Sequence, residues 1–187
     1  MVEIVGIAGS LRRGSWNAAL LHAATESAPV GSRIAVHGIG GIPLYDGDLE
    51  ADSGIPPAVR ALQQSIVAAD ALLLVTPEYN NSIPGVLKNA IDWASRPGEA
   101  KLRVFRDKPV GLIGVTPGRF GTAFAQAAWL PVLRSLGARP WFGKSLYVGG
   151  GGALFDSEDR LDDEATRERL RDYLEAFVGF VVDTGRR

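Results

Sequence analysis

The opening segment constrains this chain most, because a β-branched apolar run there passes through a glycine- and serine-rich turn straight into a helix. Val2, Ile4, Val5 and Ile7 read as a buried parallel strand, and helical periodicity begins only after Asn17. The turn between them has the makings of an anion cradle. Gly9 and Gly14 let the backbone approach a ligand, Ser10, Ser15 and Asn17 supply hydroxyl and amide groups, and Arg12 and Arg13 supply positive charge. The following helix adds free N–H groups and the positive end of its dipole. The same turn also reads without a ligand, with Ser15 or Asn17 as an ordinary N-cap. Two arginines in one short loop favour the first reading, since they are costly unless they meet an anion or solvent. The familiar nucleotide loops do not fit. Gly9 and Gly14 lead into Ser15 rather than Lys, and Gly6 and Gly9 are out of register for G-x-G-x-x-G.

Composition removes several chemistries. A net charge of −1 offers no general attraction to nucleic acid or to an anionic membrane, so anion binding must be local. The absence of cysteine excludes a disulfide, a thiolate nucleophile and an iron–sulfur cluster. The two histidines are isolated, His22 reading as a helix side chain and His37 as a strand one, so neither suggests a metal centre. No basic-then-apolar leader opens the chain and no apolar run approaches the roughly 20 residues that span a bilayer. These features predict a cytoplasmic protein whose 187 residues form one domain, without nucleic-acid or membrane partners.

Along the chain, a helix is expected over Ala18–Ala28, a strand over Arg33–Ile39, and a long loop over Gly40–Pro57. Pro56 opens a helix in which Val59, Leu62, Ile66 and Val67 recur at helical spacing, with Asp70 at its end. Ala71–Thr76 is an apolar strand buried on both faces, followed by a loop and the helical segment Gly85–Trp93. Pro109–Val115 repeats the strand pattern, and Ala123–Leu136 is a helix that Pro131 should kink or break. Ala138–Val148 reads as a fifth strand after that, Gly149–Gly152 as a flexible loop, and Leu161–Val182 as a last helix with an apolar stripe. Five strands alternating with five helices predict a three-layer α/β fold, a doubly wound parallel sheet of order 2-1-3-4-5.

That topology brings three loops to one sheet edge: the cradle, Pro77–Ser82 and Thr116–Thr122. The second loop is poor in ionisable groups and rich in amides, with Tyr79 as a flat wall suited to a planar heteroaromatic ring. Glu78 is open to two readings, a solvent-facing or helix-N-terminal carboxylate, or a group at the ring. Asn80 and Ser82 read equally as turn and N-cap residues, and Gly118 and Gly121 as turn-makers.

On these residues the sequence resembles the NADPH-dependent FMN reductase family, flavodoxin-like enzymes that include bacterial quinone and chromate reductases. Gly9-Ser-Leu-Arg-Arg-Gly-Ser-Trp-Asn17 is similar to the family's phosphate loop, and Thr76-Pro-Glu-Tyr-Asn-Asn-Ser-Ile-Pro-Gly-Val-Leu-Lys-Asn-Ala-Ile-Asp-Trp93 to its flavin-ring loop and helix. The resemblance implies that Ser10, Arg12, Ser15 and Asn17 bind the FMN phosphate, with Trp16 among them where a smaller aromatic is usual. It implies too that Pro77, Glu78, Tyr79 and Asn80 border the isoalloxazine, while Thr116 with Gly118, Arg119 and Gly121 closes the other side. Phe124 stands where the arginine of a Gly-x-x-Arg-Ala-Gln pattern is expected, with Ala125-Gln126 intact. The activity implied is hydride transfer in two half-reactions, from NADPH or NADH to FMN and then to a quinone, free flavin, azo compound or chromate on the same face. Such chemistry belongs to the cofactor and asks for no protein nucleophile. Homodimers or homotetramers are usual in the family. An electron carrier like flavodoxin, without pyridine-nucleotide turnover, and a silent ligand sensor are the alternatives; Arg12, Arg13 and the near-neutral charge speak against the carrier.

Overall fold

The computed structural model describes residues 1–185 and contains one parallel sheet. Its strands are β1 (Val2–Ala8), β2 (Ser32–Val36), β3 (Ala71–Val75), β4 (Pro109–Val115), β5 (Arg139–Pro140) and β6 (Leu146–Val148). The helices are α1 (Trp16–Glu26), α2 (Gly47–Ser53), α3 (Pro57–Ala68), α4 (Gly85–Ala94), α5 (Ala100–Val104), α6 (Ala123–Leu136) and α7 (Glu164–Gly185). The sheet order is β2-β1-β3-β4-β5, with β6 also paired to β4. This is the predicted doubly wound order, which separates the loops after β1 and β3 and opens a crevice between them.

Alternation along the central strands builds the two apolar layers. Leu72 and Leu74 of β3 join Leu62, Ile66, Leu87, Ile91, Trp129 and Leu133 from α3, α4 and α6 on one face. Ala71, Leu73 and Val75 join Leu20, Leu21, Leu170, Leu174 and Phe177 from α1 and α7 on the other. Both faces of β3 are therefore sealed, and each fully buried Leu contributes roughly 1.5–3 kcal/mol of hydrophobic stabilisation.

Several sequence-based expectations are corrected. The fifth strand is two short pieces: Pro109 and Val110 pair with β5, and Ile113 to Val115 with β6. Between them, Tyr173 of α7 substitutes for a strand. Its hydroxyl accepts the Leu112 N–H at 2.9 Å and donates to the Leu112 carbonyl at 3.1 Å, satisfying both buried groups. The long loop after β2 contains α2, which buries no side chain and starts at Asp46, whose carboxylate accepts the Asp48 N–H. The short α5 was also unforeseen.

Boundaries shift for identifiable reasons. Helix α1 begins at Trp16, earlier than the apolar periodicity indicates, because Ser15 caps it by accepting the Ala18 N–H. Helix α7 begins at Glu164 because Asp163 accepts the Thr166 N–H. Helix α6 runs unbroken through Pro131, which lies on the exposed face where water can take the carbonyl its missing N–H would have served. Asp70 terminates no helix, but instead accepts the Glu3 N–H at the start of β1.

Candidate active site

The first loop is shaped by its capping. Ser15 is buried and occupied at Ala18, which leaves the N–H groups of Trp16 and Asn17, in the first turn of α1, without intrahelical acceptors. Asn17 is also buried, and its amide clasps one residue of β4, accepting the Val115 N–H at 3.0 Å and donating to the Val115 carbonyl at 2.8 Å. Its side chain thus anchors the helix start to the sheet, and its backbone N–H and second amide hydrogen remain for an anion in the cleft that it lines. Gly9 has a packing reason of the same kind. A Cβ there would lie 2.8 Å from Leu87 and 2.9 Å from Pro77, so the glycine lets the first loop press against the second.

The second loop is a tight hairpin. Tyr79 and Ser82 exchange backbone hydrogen bonds at 3.0 and 3.1 Å, and the two residues between them, Asn80 and Asn81, have φ of 50° and 58°. Consecutive left-handed residues make a primed turn, which asparagine tolerates better than most residues. Ser82 closes that turn, and the N-cap of α4 is Pro84. The hairpin holds Tyr79 half exposed, with its hydroxyl 3.5 Å from the Ser10 hydroxyl across the crevice. Behind it, Thr76 is buried and receives the Trp129 indole N–H at 3.2 Å. The Glu78 carboxylate accepts the Ala125 N–H at 3.0 Å, the first of its two sequence readings: it lies at the N-terminus of α6.

The third loop and the Gly149–Gly152 run form one body. Thr116 bonds to Val148 and Gly151 bonds to Thr116, while Gly149 lies too close to the backbone of Gly118 and Arg119 to admit a Cβ. A short 3₁₀ turn, Gly151–Ala153, ends the run, so it is part of the ordered wall and not a free loop. Gly121, with φ of 61°, packs against the backbone of Tyr147 and Val148.

The three loops enclose a cleft of about 360 Å³ lined by Ser10, Arg12, Ser15, Trp16, Asn17, Pro77, Glu78, Tyr79, Val115, Thr116 and Pro117. Asn80, Gly118, Arg119 and Gly121 lie outside that lining: Asn80 is at the exposed hairpin tip, Gly118 and Arg119 face solvent, and Gly121 is packed behind. Val115 and Pro117 are additions; both flank Thr116, and a strand end entering a Thr-Pro-Gly turn was the available signal. The lining combines donors, the Arg12 guanidinium, the Ser10 hydroxyl and the α1 amides, with flat apolar surface from Pro77, Tyr79, Val115 and Pro117. Such a lining suits a ligand that joins a phosphate to a planar ring. A hollow of about 400 Å³ at the opposite sheet edge, near Asp70, Pro109 and Arg139, lies at the amino ends of the strands and has no such turn. Among the described residues no group of His, Cys, Asp and Glu forms a metal site, and no helix is long and apolar enough to cross a membrane.

Residue 124 departs from the expected arginine. Phe124 is 48% exposed and stacks edge-on to the 67%-exposed Phe120, with ring centroids 6.1 Å apart. The neighbouring Gln126 is buried and donates to Thr122 at 2.9 Å and to the Leu146 carbonyl at 3.2 Å, so the retained Ala-Gln pair has a packing role.

Comparison with known proteins agrees with this geometry. Residues 2–152 match the family model of NADPH-dependent FMN reductases. The chain is 45% identical over 175 residues to an NAD(P)H-dependent FMN reductase of Pseudomonas aeruginosa, covering 94% of this chain and 92% of that one. It is 39% identical over 183 residues to a 2-hydroxy-1,4-benzoquinone reductase of a Burkholderia species, covering 97% of each. Among solved structures, FerB of Paracoccus denitrificans, a flavoenzyme NAD(P)H:(acceptor) oxidoreductase, superposes with a TM-score of 0.87 at 33% identity, over 98% of this chain and 99% of that one. With a profile match over most of its length, full-length relatives and the same fold, the chain belongs to the NADPH-dependent FMN reductase family.

Proposed function

We propose that this protein is an FMN-dependent NAD(P)H oxidoreductase acting on quinones or similar acceptors, with the cofactor phosphate over the α1 N-terminus and its ring against Pro77 and Tyr79. The observation that carries this reading is that one cleft is lined both by anion donors, Ser10, Arg12 and the start of α1, and by the flat surfaces of Pro77 and Tyr79. Ser10, Arg12 and the amides of Trp16 and Asn17 hold the phosphate through charge-assisted bonds of about 1.5–3 kcal/mol each. Bound FMN supplies the hydride chemistry. The chain's own task is to bind and orient. Tyr79, fixed by its hairpin, sets the ring's tilt, and the Glu78 backbone N–H, which the hairpin does not use, is placed to stabilise negative charge on the ring. Thr116 and Pro117 confine it from the third loop. Glu78, engaged at Ala125, transfers no proton.

Donor and acceptor use one open face of the ring in turn. A homodimer or homotetramer accounts for exposed apolar side chains such as the Phe120–Phe124 pair, and light scattering will register it as a mass above one chain. The kinetic test is a grid of initial rates over NADPH and a soluble benzoquinone. Parallel double-reciprocal lines are expected; intersecting lines would mean a ternary complex and a second binding site.

A further inference from the structure

Trp16 occupies space that only glycine leaves. A Cβ on Gly151 would fall 2.6 Å from Trp16 Cε3, and one on Gly152 would fall 3.2 Å from Cζ2. Gly151 is buried and its backbone is not left-handed, so its lack of a side chain answers to the indole and not to a turn. Over the same indole lies the Arg12 guanidinium, 5.2 Å from the ring centroid. Elsewhere Arg33, Arg96, Arg139 and Arg160 are tied to carboxylates at 2.8–3.0 Å. Arg12 has no carboxylate partner among the described residues, and stacking on the indole is what restrains its exposed side chain.

We propose that Trp16 is a positioning residue which, seated on Gly151 and Gly152, holds Arg12 at the phosphate end of the cleft and so makes the site selective for phosphorylated flavin. The proposal rests on the flavin reading above and deepens it. A free arginine side chain must give up rotamer freedom when it binds an anion, and one already stacked gives up less. The same stacking leaves the guanidinium's edge donors free, because a ring face engages its plane and not its N–H groups. The indole and the glycine run are therefore one device, and each residue requires the other.

The test titrates flavin-free protein with FMN and with riboflavin, following quenching of flavin fluorescence, in wild type, Gly151→Ala, Trp16→Leu and the double variant Trp16→Phe/Gly151→Ala. The added methyl group displaces the indole without straining the backbone. Gly151→Ala and Trp16→Leu should each weaken FMN by about tenfold and riboflavin by less than about twofold, as expected when one restrained charge contact is lost. The double variant, with a smaller ring and a filled gap, should recover most of the FMN affinity. Equal weakening of both flavins in Trp16→Leu, or FMN affinity unchanged in both single variants, would overturn the proposal. A wild type that binds FMN no better than riboflavin would overturn instead the phosphate cradle on which the proposal depends.

Discussion

The Glu78 carboxylate and the Ala125 backbone N–H, 3.0 Å apart, join the loop after β3 to the first turn of α6. That bond places the one carboxylate of the Pro77–Ser82 loop at a helix N-terminus, where its negative charge complements the dipole's positive end.

Glu78→Gln should therefore behave as a capping change. Glutamine keeps an acceptor for Ala125 and loses the charge, costing about 0.5–1 kcal/mol of stability. Turnover with NADPH and quinone should stay within about tenfold of wild type, because no general base is removed. A loss beyond roughly a hundredfold would identify a proton-transfer residue.

Asn17→Leu removes both bonds to Val115 and leaves a buried N–H and carbonyl at the end of β4. The expected loss is about 2–4 kcal/mol in denaturant unfolding, with FMN affinity falling as the start of α1 loosens. Unchanged stability would show that Asn17 serves the ligand rather than the sheet.

Much of this architecture was legible in the sequence, and the failures share a cause. β3 and β4 announced themselves because strands buried on both faces are continuous apolar runs, and α3 did so by its helical spacing. The split of the fifth strand was not legible, since it depends on Tyr173, far along the chain, supplying a hydroxyl to Leu112. In the site, the turn chemistry named the loops but not which atoms were free. Asn17 reads as a ligand group and Gly9 as a close-approach glycine, and only the structure adds that the Asn17 side chain also clasps Val115 and that Leu87 and Pro77 crowd Gly9. Residue type marks a capacity for hydrogen bonding, and only the tertiary partner decides where it is used.

Tyr173→Phe isolates the strand-substitute role. The ring remains buried beside Trp141 and Phe177 while the Leu112 N–H and carbonyl lose their partner. Unfolding free energy should drop by about 2–4 kcal/mol, a penalty that a merely hydrophobic Tyr173 would not incur.

The hairpin tip gives a conformational test. Asn81, at φ of 58°, should accept glycine with little change, whereas Asn81→Val should cost about 1–2 kcal/mol because a β-branched residue resists the left-handed region. Because the strain acts on the Tyr79–Ser82 pairing, the same variant should also lower the rate of turnover through Tyr79.

The Arg96 guanidinium, hydrogen-bonded at 2.8 Å, and then the Tyr45 hydroxyl hold the Glu50 carboxyl below its ordinary value of 4.5. A depressed native pKa means that the unfolded chain binds more protons in that range, so this stabilisation is complete above the ordinary value and fades as pH falls through the native one. Urea midpoints of wild type and Glu50→Gln should therefore differ at pH 7 and converge in acid. A gap that persists in acid would assign the effect to packing of the α2 segment.

The central claim is that the three-loop cleft holds FMN in reach of a pyridine nucleotide. Its most direct measurement is the visible spectrum of the FMN-reconstituted protein, taken anaerobically before NADPH, after NADPH, and after addition of benzoquinone. The predicted result is a protein-bound flavin band that bleaches with NADPH and returns with quinone. Failure to retain FMN on desalting, or a bound flavin band that neither NADPH nor NADH bleaches, would contradict the account.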